Sequence, residues 1–367
     1  MRGRHARVLA VLPGLLLVGC SSKAAPEPIW LGHLAQMTGP AKWAGTKSQQ
    51  GVRLAVEEEA AVRVLGRPLA VRHADTRGEP ETARAEAVRL IAVSKVAALL
   101  VSVDAAQAER IGREALPYGL PVVVCGELAS PPGENVFVLG AGPEARGRAL
   151  ARCLADEVKA GTVAVFVDGR DALAGAVAAA FAQQWRKTAR RQAEEWEYLN
   201  DDDLKERINR AIKARPAAVL VAGSVRDCQR VRADLAAEMV SAPVLFGGPD
   251  VDAAALRRGE GGDAVYLATA FAAEGGREFA RKFEDTTREP PTVAAVLAYD
   301  GTRMLFEAMR DAGTNTGTRV RDQLAKVEVF ESVTGKVSFK DRQARRPVFV
   351  LRLKGDAVTL VKTVEPD

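Results

Sequence analysis

Aromatic residues, cysteine and histidine are all scarce in this chain. Of 367 residues, 5% are aromatic, with Trp 4 and Tyr 4, so a cleft walled by stacked rings has few residues to draw on. Cysteine numbers 4, too few for a small disulfide-framed scaffold, and no spacing suits a metal ion. Histidine numbers 3, no G-x-S-x-G elbow surrounds Ser224 and no H-E-x-x-H occurs, which argues against the common hydrolase classes. No apolar run approaches the roughly 20 residues that span a bilayer. No low-complexity block interrupts the sequence. Neither metal nor cofactor is expected, and no catalytic set is visible.

What is present begins at the N-terminus. Arg2, Arg4 and Arg7 precede an apolar run from Val8 to Val18, and the run ends in Leu17-Val18-Gly19-Cys20. That is a charged n-region, a short h-region and a small residue before a cut. Residues 21–28 form a polar, Pro-containing tether. Leu17 to Cys20 resembles the lipobox of bacterial lipoproteins, which implies loss of residues 1–19 as a signal peptide, lipidation of Cys20 and a tether over 20–28. Acyl chains would hold such a protein at a bacterial membrane, inner or outer, on the periplasmic side. Without the three leader arginines the balance is 49 basic against 47 acidic residues, which is no nucleic-acid footprint. Cys125, Cys153 and Cys228 remain, each beside an apolar or helical stretch, and read as buried free thiols with at most one disulfide among them.

Short apolar runs then alternate with longer amphipathic ones, the pattern of a parallel sheet covered on both faces. Strands are expected at 29–34, 69–72, 97–101 and 121–125, with helices at 46–62, 79–94 and 105–118. A second series follows, with strands at 163–167, 196–199, 218–221 and 244–246 and helices at 144–159, 172–187, 202–214 and 225–239. The order then breaks into helices at 276–285 and 293–312 and strands at 337–339, 348–353 and 357–361. The fold class is α/β: two doubly wound lobes with parallel-sheet cores, joined by three crossings near 140–143, after Tyr266 and near 328–333. The boundaries expected are 29–140 plus 270–327 for the N-terminal lobe and 141–269 plus 328–367 for the C-terminal lobe. Such a pair is a clamshell able to close on a ligand.

The opening Leu31-Gly32-His33-Leu34-Ala35-Gln36-Met37-Thr38-Gly39-Pro40, with Trp43-Ala44-Gly45 and Gly51-Val52-Arg53-Leu54, resembles that of leucine/isoleucine/valine-binding-protein-like solute receptors. Ala74-Asp75-Thr76, Pro243 to Asp250 and Ala298-Tyr299-Asp300-Gly301-Thr302 follow in the family's order. The resemblance implies the type I periplasmic-binding fold and a non-enzymatic role. Family members deliver a small solute to the permease subunits of an ABC transporter, as in amino-acid transport. It also implies ligand contacts at strand C-termini: Trp43 on the first loop, Ser102, Val103 and Asp104 after the third strand, and Glu127, Ala129 and Ser130 after the fourth. The second lobe would add Asp168, Asp171, Ala172, Ser224 and Asp250.

In amino-acid-binding members a Ser/Thr pair and helix N–H groups take the ligand carboxylate, and an acidic residue of the far lobe takes the ammonium. Asp250 fits the latter role, or is a solvated loop aspartate. The carboxylate side departs from the family pattern, because Val103-Asp104 and Ala129 stand where hydroxyls are expected. Asp104 directly precedes a helix, where its carboxylate would cap the N–H groups that a ligand carboxylate needs. The ligand is therefore expected to be neutral or cationic at that end: an amide, polyol or amine. Trp43 is either an aromatic lid or a packing residue. Two other readings arise. Gly140-Ala141-Gly142-Pro143-Glu144-Ala145 resembles a dinucleotide fingerprint, or is a flexible crossover between lobes. The lost hydroxyls and tyrosines also suit a lipid-anchored sensor or assembly module whose pocket has degenerated.

Overall fold

The computed structural model describes residues 26–59, 63–157, 161–257 and 264–366. The signal peptide expected over 1–19 and the lipidation expected at Cys20 lie outside the described residues. The first lobe opens with β1 (Ile29–Ala35), α1 (Lys42–Glu58), β2 (Leu69–Asp75), α2 (Pro80–Ala92), β3 (Ala98–Ser102), α3 (Ala105–Ala115), β4 (Val122–Val124) and β5 (Val136–Val138). The second holds α4 (Pro143–Glu157), β6 (Val163–Asp168), α5 (Ala172–Ala189), β7 (Ala193–Tyr198), α6 (Asp201–Ala214), β8 (Ala218–Ala222), α7 (Val225–Ala237), β9 (Val244–Phe246), α8 (Ala253–Arg257) and β10 (Val265–Thr269). The chain then returns to the first lobe through α9 (Arg277–Thr287), α10 (Val293–Ala312), α11 (Gly317–Leu324), β11 (Phe330–Ser332), β12 (Gly335–Lys340) and β13 (Gln343–Arg345). It ends in the second with β14 (Val348–Lys354) and β15 (Ala357–Val364).

The strand orders are β11-β12-β13-β5-β4-β3-β1-β2 and β15-β14-β10-β9-β8-β6-β7. Each lobe thus repeats one parallel core in which the first strand lies inside the second. Runs such as Ala218–Ala222 are wholly buried because helices cover both faces, which is why they read as continuous apolar strings rather than alternating ones. One apolar cluster runs from Ile29 and Phe137 through Leu139 and Ala149 to Phe181 and Val350, so the cores of the two lobes meet at the crossings. In the first lobe α1 lies on α10. The approach is so close that a Cβ on Gly51 would sit 2.1 Å from the Ala295 carbonyl oxygen, so only glycine fits there.

Two expectations need correction, and one pair of alternatives is resolved. Residues 330–345 join the first sheet rather than the second, so the third crossing falls at Arg346-Pro347 and not near 328–333. The cause is edge extension: the β12–β13 hairpin continues the free side of β5 through the parallel pair Gln343↔Val138. Trp43 lies in the first turn of α1, not on a loop, since that helix starts four residues earlier than its apolar periodicity indicates. The 140–143 turn carries no dinucleotide fingerprint, because β5 and β6 on either side of α4 belong to different sheets. Gly140 is instead pressed against the neighbouring loop, its N–H donating to the Gly126 carbonyl at 2.8 Å. A Cβ there would lie 2.3 Å from the same oxygen.

Candidate functional site

The C-terminal ends of both parallel cores carry loops and helix N-termini, the usual place for ligands in such sheets. Here α3, α5 and α7 begin with a side-chain cap, whereas α1 and α2 have none. Asp104 caps α3: its Oδ1 accepts from the Gln107 backbone N–H at 2.9 Å and its Oδ2 from Gln107 Nε2 at 2.7 Å. Asp171 caps α5 by accepting from the backbone of Leu173 at 2.9 Å and of Ala174 at 3.4 Å. Ser224 forms a capping box with Asp227 at the start of α7, and Tyr198 donates to the same Asp227 carboxylate at 3.0 Å. The loop after β1 is held by Asp75, which accepts from the Met37 N–H at 2.9 Å and the Thr38 hydroxyl at 2.6 Å. Asp168 turns onto Arg170, both guanidinium contacts measuring 2.8 Å.

Trp43, 53% exposed, projects from α1 and donates from Nε1 to Asp252 Oδ2 at 3.3 Å, reaching from the first lobe to the second. Lys47, one helical turn on, lies with Nζ 4.7 Å from the Trp43 ring centroid. The Lys47 side chain is fully buried and paired with Glu289 at 2.8 Å. Burial lifts the Asp252 carboxyl to about 6, against the lowering effect of the Trp43 hydrogen bond. Asp252 was not singled out from the sequence, and two residues beyond Asp250 in a loop it carries no signal of its own.

Glu127 and Asp250 are brought together, but at the hinge. Glu127 Oε2 accepts from Arg146 Nη1 at 2.7 Å and from the Asp250 backbone N–H at 2.8 Å. The Asp250 carboxylate accepts from the Ala270 N–H at 2.7 Å, and its other oxygen is buried without a hydrogen bond. Burial raises both acids above the ordinary range, with the Arg146 guanidinium pulling the other way. Arg346 fixes the neighbouring crossings, donating to the Leu139 carbonyl at 3.1 Å and to Thr334 Oγ1 at 2.9 Å, with Asp300 at 3.5 Å.

Ser102 ends β3 and joins a buried polar chain. Its Oγ lies 2.6 Å from Ser48 Oγ, which is 2.9 Å from His33 Nε2, and His33 Nδ1 is 2.9 Å from His73 Nδ1. Val103 is half-buried against the α2–α3 side of the sheet, and Ala129 is half-buried in the loop after β4. Ser130, Ala172 and Ser224 are exposed. Cys125, Cys153 and Cys228 are free and buried, as read from the sequence. Among the described residues, no group of three or more metal-ligating side chains occurs and no helix is long and apolar enough to cross a membrane.

Two like-wound lobes, three crossings and a cleft at the strand ends define a two-lobed binding protein of the type I periplasmic-binding fold. Residues 28–357 match the family described as periplasmic binding protein, and the chain belongs to that family. Among solved structures, it is similar to the leucine binding protein LivK of Thermotoga maritima, at 20% identity and TM-score 0.80, covering 92% of this chain and 99% of that one. LivJ of Streptococcus pneumoniae in complex with isoleucine gives 20% identity and TM-score 0.76 over 92% of this chain and 100% of that one. A solute binding protein of an ABC transporter from Rhodopseudomonas palustris, in complex with 3,4-dihydroxybenzoic acid, gives 17% and 0.74, covering 92% and 98%. No curated protein matches the sequence.

Proposed function

We propose that the chain is the extracytoplasmic solute-binding component of an ABC importer of the branched-chain amino acid/amide type. It is anchored through a lipid on Cys20 and hands a small polar solute to permease subunits. The family, the fold shared with LivK and LivJ, and the lipobox-like leader support this reading. The solute lacks a free carboxylate at the first-lobe end. The observation that carries this is the Asp104 cap, whose carboxylate takes the α3 N–H group that an anion would need and sets a like charge beside it. The far end agrees, because the charges of Arg146 and Arg346 pull the Asp250 carboxyl toward its ionised form, as a ligand ammonium would otherwise do. Trp43, Ser102, Ala129, Ser130, Ala172 and Ser224 line the remaining cleft, and Asp252 joins them.

Mass spectrometry of solutes released on denaturing the purified protein tests this. An amide, polyol or amine is expected, and leucine or another free amino acid would overturn the ligand assignment. A second reading, a lipid-anchored sensor or assembly module without transport, draws on the lobes being linked by the protein's own groups at Trp43–Asp252 and Glu127–Asp250. It predicts that nothing is released.

A further inference from the structure

The three crossings between the lobes are tied together by one buried set of charged groups. Arg346 of the third crossing donates to the Leu139 carbonyl of the first at 3.1 Å and to Thr334 Oγ1 at 2.9 Å, and Thr334 donates to the Ala270 carbonyl of the second at 3.3 Å. The Ala270 N–H reaches Asp250 at 2.7 Å. Arg146 of α4 bonds Glu127 at 2.7 Å and, from Nε, the Ala268 carbonyl at 3.0 Å. Asp300 of α10 lies beside Arg346. Glu127, Asp250 and Asp300 thus face only two guanidinium groups, which leaves one negative charge unbalanced. The side chains of Glu127, Arg146, Asp300 and Arg346 are each exposed by 4% or less. In such a place an unbalanced carboxylate takes up a proton rather than stay charged.

Other nearby groups do not balance the set. Asp252, two residues beyond Asp250, has the same sign and is engaged by Trp43. Burial keeps the Cys125 thiol protonated. Among the described residues no group of three or more acids, histidines or cysteines could hold a metal ion. Glu127 and Asp250 are the acids placed to take the proton. The Asp300 oxygen that lacks a hydrogen bond faces Arg346 at 3.5 Å, and its other oxygen accepts the Val333 N–H at 3.0 Å. Glu127 and Asp250 touch through the 2.8 Å bond from the Asp250 N–H to Glu127 Oε2, and each keeps a buried oxygen, Oε1 and Oδ1, with no partner. Burial raises both above the ordinary carboxyl range. We propose that Glu127 and Asp250 hold one proton between them and that its loss opens the clamshell. Glu127 belongs to the first lobe and Asp250 to the second. Without the proton, two like charges from opposite lobes are pressed together away from water, and separation of the lobes relieves both the repulsion and the burial. The closed form therefore binds a proton that the open form gives up to solvent, so acid favours closure and rising pH favours opening. The switch is built from the protein's own groups and operates in a receptor and in a sensor alike.

The test uses the full chain with Cys20→Ser, in which Ala85→Cys on α2 and Asn209→Cys on α6 supply two exposed thiols while Cys125, Cys153 and Cys228 stay buried. Spin labels at the two sites report lobe separation by pulsed electron resonance, and infrared spectra report the C=O stretch of protonated carboxyls. Between pH 6 and pH 9 the population at the longer label distance should rise several-fold. A protonated-carboxyl band, identified as the part missing from Glu127→Gln, should fade with the same midpoint. Glu127→Gln keeps an acceptor for both of its donors and has no proton to lose, so it should stay at the closed distance throughout. Asp250→Asn should do the same, whereas Asp300→Asn should keep both the band and the shift. A distance distribution indifferent to pH in the parent, an equal shift in Glu127→Gln, or infrared spectra of the two that do not differ in protonated carboxyl at pH 6, would overturn the proposal.

Discussion

Glu127 and Asp250 meet across the hinge, the carboxylate of the one accepting the backbone N–H of the other at 2.8 Å while also holding Arg146 at 2.7 Å. The Arg146 side chain has no exposure and that of Glu127 has 4%. Glu127→Ala therefore leaves a guanidinium buried without its partner and should cost about 3–5 kcal/mol of stability. Glu127→Gln keeps an acceptor for both donors and should cost less. Chemical denaturation of both variants against the parent checks the order.

Asp104 supplies a cap and a charge, and the two can be separated. Asp104→Ser keeps a capping oxygen, so stability should change by no more than about 1 kcal/mol. It removes the negative charge from the end of α3 and should improve binding of carboxylate ligands, isoleucine included, as read by calorimetry. An unchanged response to carboxylates would mean that Asp104 does not govern that end of the cleft.

Asp104 was legible because an N-cap is a local feature, one residue before a helix that the sequence already marks. The βα alternation was legible for the same reason, and both parallel cores followed from it. Contacts made over long separations were not. Glu127 and Asp250 are 123 positions apart, and nothing in either loop announces the other. Arg346 shows the same limit: in sequence it is one basic residue among several, and only the fold buries it between crossings. Strands β11 and β13, three residues each, are too short to display a period, which is how the third crossing came to be misplaced. His33 and His73 counted only as too few for a hydrolase until β1 and β2 paired in register.

Trp43 is expected to contribute to solute retention through its ring face. Trp43→Ala should weaken binding of the released solute about tenfold. It also removes the Asp252 contact between lobes. Unchanged affinity would place Trp43 outside the pocket.

The histidine pair and the hinge acids give stability opposite slopes with pH. His33 and His73 are held below 6.5 in the folded protein, so the unfolded chain binds more protons as pH falls. Their contribution is complete above 6.5 and is lost on the way down to about 3. Asp300 is raised to about 6, and Glu127 and Asp250 are raised as well, so here the folded protein keeps protons that the unfolded chain releases. Their effect reduces stability as pH rises above about 4. In Asp300→Asn the alkaline loss should shrink between pH 4 and 7 while the acid limb stays, as read from melting temperature against pH.

The three thiols should be inert in the folded protein. Burial raises Cys125, Cys153 and Cys228 above the ordinary thiol range, Cys153 to about 11 and Cys228 to about 12. A thiol reagent at pH 8 should label none of them within minutes and all three after denaturation.

The central claim is that this cleft belongs to a solute receptor whose carboxylate end has been filled by the protein's own Asp104. Calorimetric titration of the unliganded protein with isoleucine and with isoleucinamide tests it most directly. Isoleucine should show no micromolar binding, and any heat should favour the amide. Micromolar binding of free isoleucine would contradict the account.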